Sequence, residues 1–237
     1  MKHVAILFAN KEFEQSKLRH ENELKSTGIF DTVIAYGQAD LSAEFIKQHK
    51  KFIVKSRQGF GYYLWKPYII LKTLETMEEG DILLYSDAGC TIESASDQLS
   101  NFIKRFTLSD IQLTAVTHAT YLDVMLNKCD LYKRFGIDIY DSSLENRIQI
   151  EAGRLIIKKT VQTVEFIQKW YNIGYEDNYH YIDDSPSIVP NHPSFYAHRH
   201  DQSIFTLLWY AHPQLCQFIE GYENMSTDVW VATRKRY

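Results

Sequence analysis

Four short runs of this chain carry side chains able to do chemistry. In residues 83–89 (LLYSDAG) an apolar stretch ends at Asp87 and then at small residues. That pattern puts a carboxylate at the carboxyl edge of a parallel sheet, where open α/β sheets bind their ligands. A carboxylate there can hold a divalent cation, which in turn neutralises phosphate; Asp87 could equally cap a following helix. Residues 57–67 (RQGFGYYLWKP) add two glycines that permit close backbone approach, and Arg57 and Lys66 offer positive charge to phosphate. The competing reading makes Tyr63 and Trp65 core plugs and Pro67 the opening of a helix.

Residues 149–157 (QIEAGRLII) set Glu151 and two small residues before an apolar strand, so a ligand can lie against the backbone there, or Gly153 marks a bulge. Residues 198–203 (HRHDQS) place Asp201 and Gln202 at the start of a helix, directed at whatever lies beside that end. Asp201 or Ser203 would otherwise serve as an N-cap, and His198 and His200 read either as metal ligands or as structural histidines.

The elements that must position these groups alternate. Residues 3–9 (HVAILFA), 32–36, 82–86, 112–117 and 148–158 have strand character; 11–26, 41–49, 68–77, 95–106, 122–135, 161–173 and 201–211 have helical spacing. The stretch 174–200, with Pro186, Pro190 and Pro193 among its histidines, is too irregular for a regular element, and long loops of this kind shape sites. This order predicts one α/β domain over 1–237, with a mostly parallel central sheet covered by helices on both faces.

Composition narrows the function. With 26 basic and 30 acidic residues there is no broad cationic face, which argues against nucleic acid as a partner. The Arg234-Lys235-Arg236 cluster is a local exception that could touch an anionic surface. No apolar run approaches the roughly 20 residues needed to cross a bilayer, and residues 1–9 read as a strand and not as a signal peptide. Cys90, Cys129 and Cys216 are few and far apart, so a cytoplasmic location, with peripheral membrane contact at most, is expected. The 16 Tyr and 4 Trp suit either stacking on sugars and bases or a Tyr-rich core. There is no P-loop, dinucleotide fingerprint, C-x-x-C, H-E-x-x-H or G-x-S-x-G, which counts against zinc hydrolases, α/β-hydrolases and redox enzymes.

Taken in order, the four runs resemble the nucleotide-sugar glycosyltransferases of GT-A type. The stretches GFGYYLWKPYIILKTLE and GDILLYSDAG look like bacterial and viral glycosyltransferases of surface polysaccharides, and the layout is similar to retaining, family-8-like enzymes. Those enzymes carry a D-x-D after a strand, an N-A-G before another, and a D-Q pair opening a late helix. Here Ser86-Asp87-Ala88-Gly89, Glu151-Ala152-Gly153 and Asp201-Gln202 stand in those places. The likeness covers residues 3–210. Three features depart from the pattern: Ser86 replaces one carboxylate, Glu151 replaces the amide, and the H-x-x-G-x-x-K-P-W tail is absent, leaving His198 or His200 as stand-ins for its histidine.

The resemblance implies a single GT-A-like (Rossmann-like) domain, with a nucleotide-binding half at 1–117 and an acceptor half at 118–237. Phe8, Ala9 and Asn10 at the end of the first strand and Tyr36 at the end of the second would hold the nucleotide, with Arg57, Lys66 and Ser86 near its phosphates. Asp87 would hold Mn²⁺ or Mg²⁺ on the diphosphate. Glu151, Asp201 and Gln202 would line the donor sugar and the acceptor as catalytic groups. The implied activity is metal-dependent transfer of a sugar from a nucleotide-diphosphate donor, UDP-linked, to a saccharide or glycolipid acceptor in polysaccharide biosynthesis, with retention slightly favoured over inversion by analogy. The alternatives are a sugar-nucleotide nucleotidyltransferase, for which a glycine-rich loop after the first strand is lacking, and a non-catalytic saccharide-binding module.

Overall fold

The structure is a computed structural model that describes residues 1–93, 96–117 and 121–234. Its strands are β1 (His3–Phe8), β2 (Thr32–Tyr36), β3 (Ile82–Ser86), β4 (Thr91–Ile92), β5 (Leu113–Ala115), β6 (Arg154–Lys158) and β7 (Trp230–Val231). Five of them form one sheet in the order β2-β1-β3-β6-β5, and β4 and β7 pair separately. β1 runs parallel to both β2 and β3; β6 is antiparallel to β3 and to β5. β5 therefore shares the direction of β1, β2 and β3, and β6 alone is reversed.

The main helices are α1 (Glu14–Ser26), α2 (Ala43–Lys55), the short turn α3 (Gly59–Tyr62), α4 (Trp65–Leu74), α5 (Ser96–Leu108), α6 (Cys129–Arg134), α7 (Val161–Tyr179) and α8 (Asp201–Ala211). They cover both faces because the central strands are apolar on both. Val4, Ile6 and Phe8 of β1 pack with Leu83, Tyr85 and residues of α2, α4, α7 and α8. Ala5 and Leu7 pack the other way, with Leu84 and with Leu24 of α1 and Phe102 and Phe106 of α5. An uninterrupted apolar run with period-two burial on each side is what a covered parallel strand requires.

Strands 32–36 and 82–86 and helix 201–211 fall where the sequence puts them. The helix expected at 41–49 starts at Ala43, capped by Ser42 accepting from the Phe45 amide at 3.0 Å, and continues to Lys55. The stretch 122–135 is not one helix. Leu122 bridges Ile148 and the Asp123 amide donates to the Arg147 carbonyl at 2.8 Å, so the first turn is a short 3-10 helix at Asp123–Met125 and only α6 is α-helical. The strand expected at 148–158 likewise begins only at Arg154; Gly153 instead turns its carbonyl to the Asp87 amide at 2.8 Å. α7 outruns its expected end, continuing to Tyr179 through a kink at Glu176–Asn178. Of the C-terminal basic cluster, Lys235 and Arg236 lie outside the described residues. Among the described residues, no helix is long and apolar enough to cross a membrane.

Candidate active site

β3 delivers its last side chains alternately to the two faces. Ser86 faces α1, where its Oγ lies 2.6 Å from His20 Nε2 and accepts from Trp230 Nε1 at 2.9 Å, while His20 Nδ1 meets Glu23 at 2.9 Å. The Ser-His-Glu connectivity is that of a nucleophilic triad, but Ser86 and His20 are wholly buried under Trp230, so the network anchors the strand end. Burial holds the His20 pKa below its ordinary value, against the pull of Glu23. Tyr85 and Asp87 face the opposite way, toward α4 and α8.

There the Tyr85 hydroxyl donates to Asp87 Oδ1 at 2.5 Å, and Lys66 Nζ lies 3.4 Å from the same oxygen. Lys66 is the second residue of α4 and is buried; its Nζ is also 3.0 Å from Asp201 Oδ2 and stands over the rings of Tyr63 and Tyr85. Asp201 opens α8, its carbonyl fixed by Trp170 Nε1 at 2.8 Å, and it too is buried. The Asp201–Lys66 approach is ionic in distance without hydrogen-bond alignment at Oδ2. Asp87, by contrast, keeps 43% of its side chain exposed.

One ammonium serves two carboxylates, and the titration directions follow. Burial opposes the charge on Lys66, yet Asp201 and then Asp87 outweigh it and raise its pKa. Burial, with Asp87 adding to it, pushes Asp201 up to about 6 in spite of Lys66. Burial and then the Asp87 carboxylate raise Tyr85 well above the usual phenol range, so it stays a donor.

At the same sheet edge, on the Ser86 side, Glu151 Oε2 is held by Arg154 at 2.6 Å. Arg154 pairs with Ser86 in the β3–β6 register and is wholly buried, donating also to the carbonyls of Trp230 and Ser226. Sequence reasoning missed Arg154; the one signal was an arginine opening an otherwise apolar strand. Gly153 closes the floor: a Cβ on it would sit 2.7 Å from Asp87 Oδ2. The small residue therefore belongs to Asp87 and not to a bulge. Gln202 follows Asp201, half-buried.

At the neighbouring strand ends, Phe8 and Tyr36 are register partners. Phe8 stacks on Trp65 with centroids 3.9 Å apart, the Tyr36 hydroxyl lies 3.0 Å from Thr73 Oγ1 of α4, and the Ala9 amide donates to the Tyr36 carbonyl at 3.2 Å. Asn10 follows, with Oδ1 buried and without a hydrogen-bond partner. A buried orphan acceptor at the end of β1 is a place where a ligand donor would fit.

Arg57 does not join this group. It is exposed and lines a separate cavity of about 550 Å³ with Lys51, Lys55, Tyr179 and Asp183. The two glycines of its run serve the loop itself: a Cβ on Gly59 would meet the Tyr63 ring at 2.7 Å, and one on Gly61 would meet Ile53 at 2.9 Å. Trp65 is a core residue whose Nε1 donates to the Gly59 carbonyl at 2.9 Å. The histidines are structural. His198 accepts from the Lys128 amide through Nδ1 and faces the Tyr181 carbonyl through Nε2; His200 is held between the Ile182 carbonyl and Gln58 Nε2.

The implied divalent cation does not fit this donor set. A hard cation gathers several oxygens, with carboxylates free to coordinate. Asp87 Oδ1 is already engaged by a phenol and an ammonium, Asp201 is held by that same ammonium, and Ser86 is turned to the other face. No group of three or more His, Cys, Asp and Glu suited to a metal occurs among the described residues.

No family model and no curated protein matches the chain. Solved structures do match its fold. A glycosyltransferase involved in glycosylation of the major capsid of PBCV-1 aligns over 98% of this chain and 92% of its own, with a TM-score of 0.52 and 12% identity. The galactosyltransferase LgtC, solved with donor and acceptor sugar analogs, aligns over 94% of this chain and 78% of its own, with a TM-score of 0.52 and 14% identity. Mouse xyloside xylosyltransferase 1 aligns over 93% and 86%, with a TM-score of 0.49 and 13% identity. The chain has the GT-A-type fold.

Proposed function

We propose that this chain is a sugar transferase that uses a nucleotide-diphosphate sugar, UDP-linked, and extends a saccharide or glycolipid in polysaccharide biosynthesis. The observation that carries the reading is the convergence of Asp87 and Asp201 on Lys66, at the sheet edge where the Glu151–Arg154 pair opens β6. The orphan acceptor of Asn10 ends the neighbouring strand. In this reading residues 1–117 carry the nucleotide and 118–237 the acceptor side, with Phe8, Ala9, Asn10 and Tyr36 toward the base.

Departure of a nucleoside diphosphate builds negative charge on the β-phosphate, and fixed positive charge in a partly desolvated site stabilises it. Lys66 supplies that charge; its two carboxylates keep it protonated and immobile. Glu151, oriented by Arg154, is the group for the acceptor hydroxyl proton in an inverting reaction, or for steadying an oxocarbenium-like centre in a retaining one. Asp201 and Gln202 then contact the donor sugar.

The test is a thermal-shift screen of the protein against UDP, GDP, CMP and TDP, each with and without Mn²⁺. A ligand specific to the folded state at a hundredfold excess over Kd adds about 2.7 kcal/mol. A shift with UDP is expected; no shift with any nucleotide would remove the transferase reading.

A further inference from the structure

We propose that Lys66 is a built-in counter-ion standing in the place of a divalent metal, so that this site takes up a nucleoside diphosphate without one. The nucleotide part of this inference rests on the transferase reading; the cation part does not.

The argument is geometric. Asp87 directly follows β3 and Asp201 opens α8; they come from distant parts of the sequence, yet each presents an oxygen to one point, Lys66 Nζ, at 3.4 and 3.0 Å. Two carboxylates converging on one point make a cation site. Metal–oxygen contacts to small divalent ions are about 2.1 Å, so the two carboxylates would need to close by only about 1 Å each around a metal in place of the ammonium. The protein fills that point with its own side chain. Lys66 is fixed there by its position in the first turn of α4, where its amide donates to the Tyr63 carbonyl at 2.8 Å, and by the ring faces of Tyr63 and Tyr85. Tyr85 adds a donor to Asp87, which a carboxylate reserved for a metal would not need.

Asp87 is the half-exposed member, whereas Lys66 and Asp201 are buried behind it. The cation of this group is preorganised and cannot be lost to chelators or exchanged.

The experiment titrates Mn²⁺ alone and follows free Mn²⁺ by electron paramagnetic resonance. Wild type is expected to show no site tighter than about 1 mM. Lys66→Ser, which frees both carboxylates and opens the space, is expected to gain a site tighter by about tenfold or more, and Lys66→Ser/Asp87→Asn to lose it. A wild-type Mn²⁺ site that disappears in Asp87→Asn overturns the proposal, as does a folded Lys66→Ser that binds Mn²⁺ no better than wild type. Should Lys66→Ser fail to fold, the wild-type titration still decides, together with UDP affinity in EDTA against Mn²⁺. Equal affinity within about twofold is expected, and a loss of about tenfold in EDTA overturns the proposal. If no nucleotide binds, the transferase reading fails, and the Mn²⁺ titrations alone settle the cation claim.

Discussion

Gly153 lacks a side chain because Asp87 lies over it; a Cβ would stand 2.7 Å from Oδ2. Gly153→Ala should therefore swing the half-exposed Asp87 carboxylate away from Lys66 and cost little stability, since the atom that must move is the end of a side chain. The expected result is a thermal midpoint within a few degrees of wild type and a nucleotide affinity weakened by about tenfold, read by calorimetry. Asp201 supplies a second test. Its pKa of about 6 means that above that pH the Asp87–Lys66–Asp201 group holds one excess negative charge, and below it none. UDP should bind more tightly as the pH falls through 6, by up to about tenfold at low salt. Asp201→Asn should remove the dependence, and comparison with it cancels the titration of the ligand. Equal pH profiles for the two proteins would exclude this role.

At the scale of elements, the segment from Tyr181 to His200 has no regular structure, yet it is fastened to the 122–134 region. Buried Lys128 donates to the Asp183 and Ser185 carbonyls at 3.2 and 3.3 Å and pairs with the Asp183 carboxylate at 3.3 Å. Asp130 accepts from the amides of Ile188 and Val189, and Asn191 Oδ1 accepts from the Cys129 amide. Such a segment is ordered by polar side chains where helices would use periodic apolar ones. Lys128→Met removes the cation from a buried pair and from two carbonyls, an expected loss of about 3 kcal/mol. Limited proteolysis should then cut within 181–199 faster than in wild type; an unchanged pattern would show that the other fastenings suffice. The turn that leads into α4 and Lys66 is built differently. Phe60, Tyr62 and Tyr63 all have positive φ, a strain of order 1 kcal/mol or more each that the surrounding packing must overcome.

Across the whole molecule, buried histidines set the acid limit. His20, His49, His198 and His200 are all shifted down by burial, His49 to about 4 between the hydroxyls of Tyr171 and Tyr179. A depressed folded pKa means that the unfolded chain binds the proton first. Stability from His49 is thus complete above about 6.5 and is lost as the pH falls toward 4, by about 3 kcal/mol. Urea midpoints should drop between pH 7.5 and 5, and His49→Leu should flatten that slope while lowering the value at pH 7.5; a slope unchanged in the variant would assign the effect to the other histidines.

The sequence by itself determined the layered α/β plan, because two-sided apolar strands and amphipathic helices leave few other ways to bury their surfaces. It also determined that Asp87 ends a strand and that Asp201 opens a helix, since both are local consequences of where an apolar run stops or starts. The tertiary structure decided which of those groups meet. Lys66 read as one of two loop cations until α4 carried it inward between two carboxylates, while Arg57, nine positions earlier, went to another cavity. Arg154 was hidden in an apolar strand because its partners, Glu151 and the carbonyls of Ser226 and Trp230, are assembled by pairing with β3 and by the packing of the late segment. Strand ends and helix starts are written in short-range pattern; the distance between a lysine and two aspartates more than a hundred residues apart is fixed only when the sheet and its helices close.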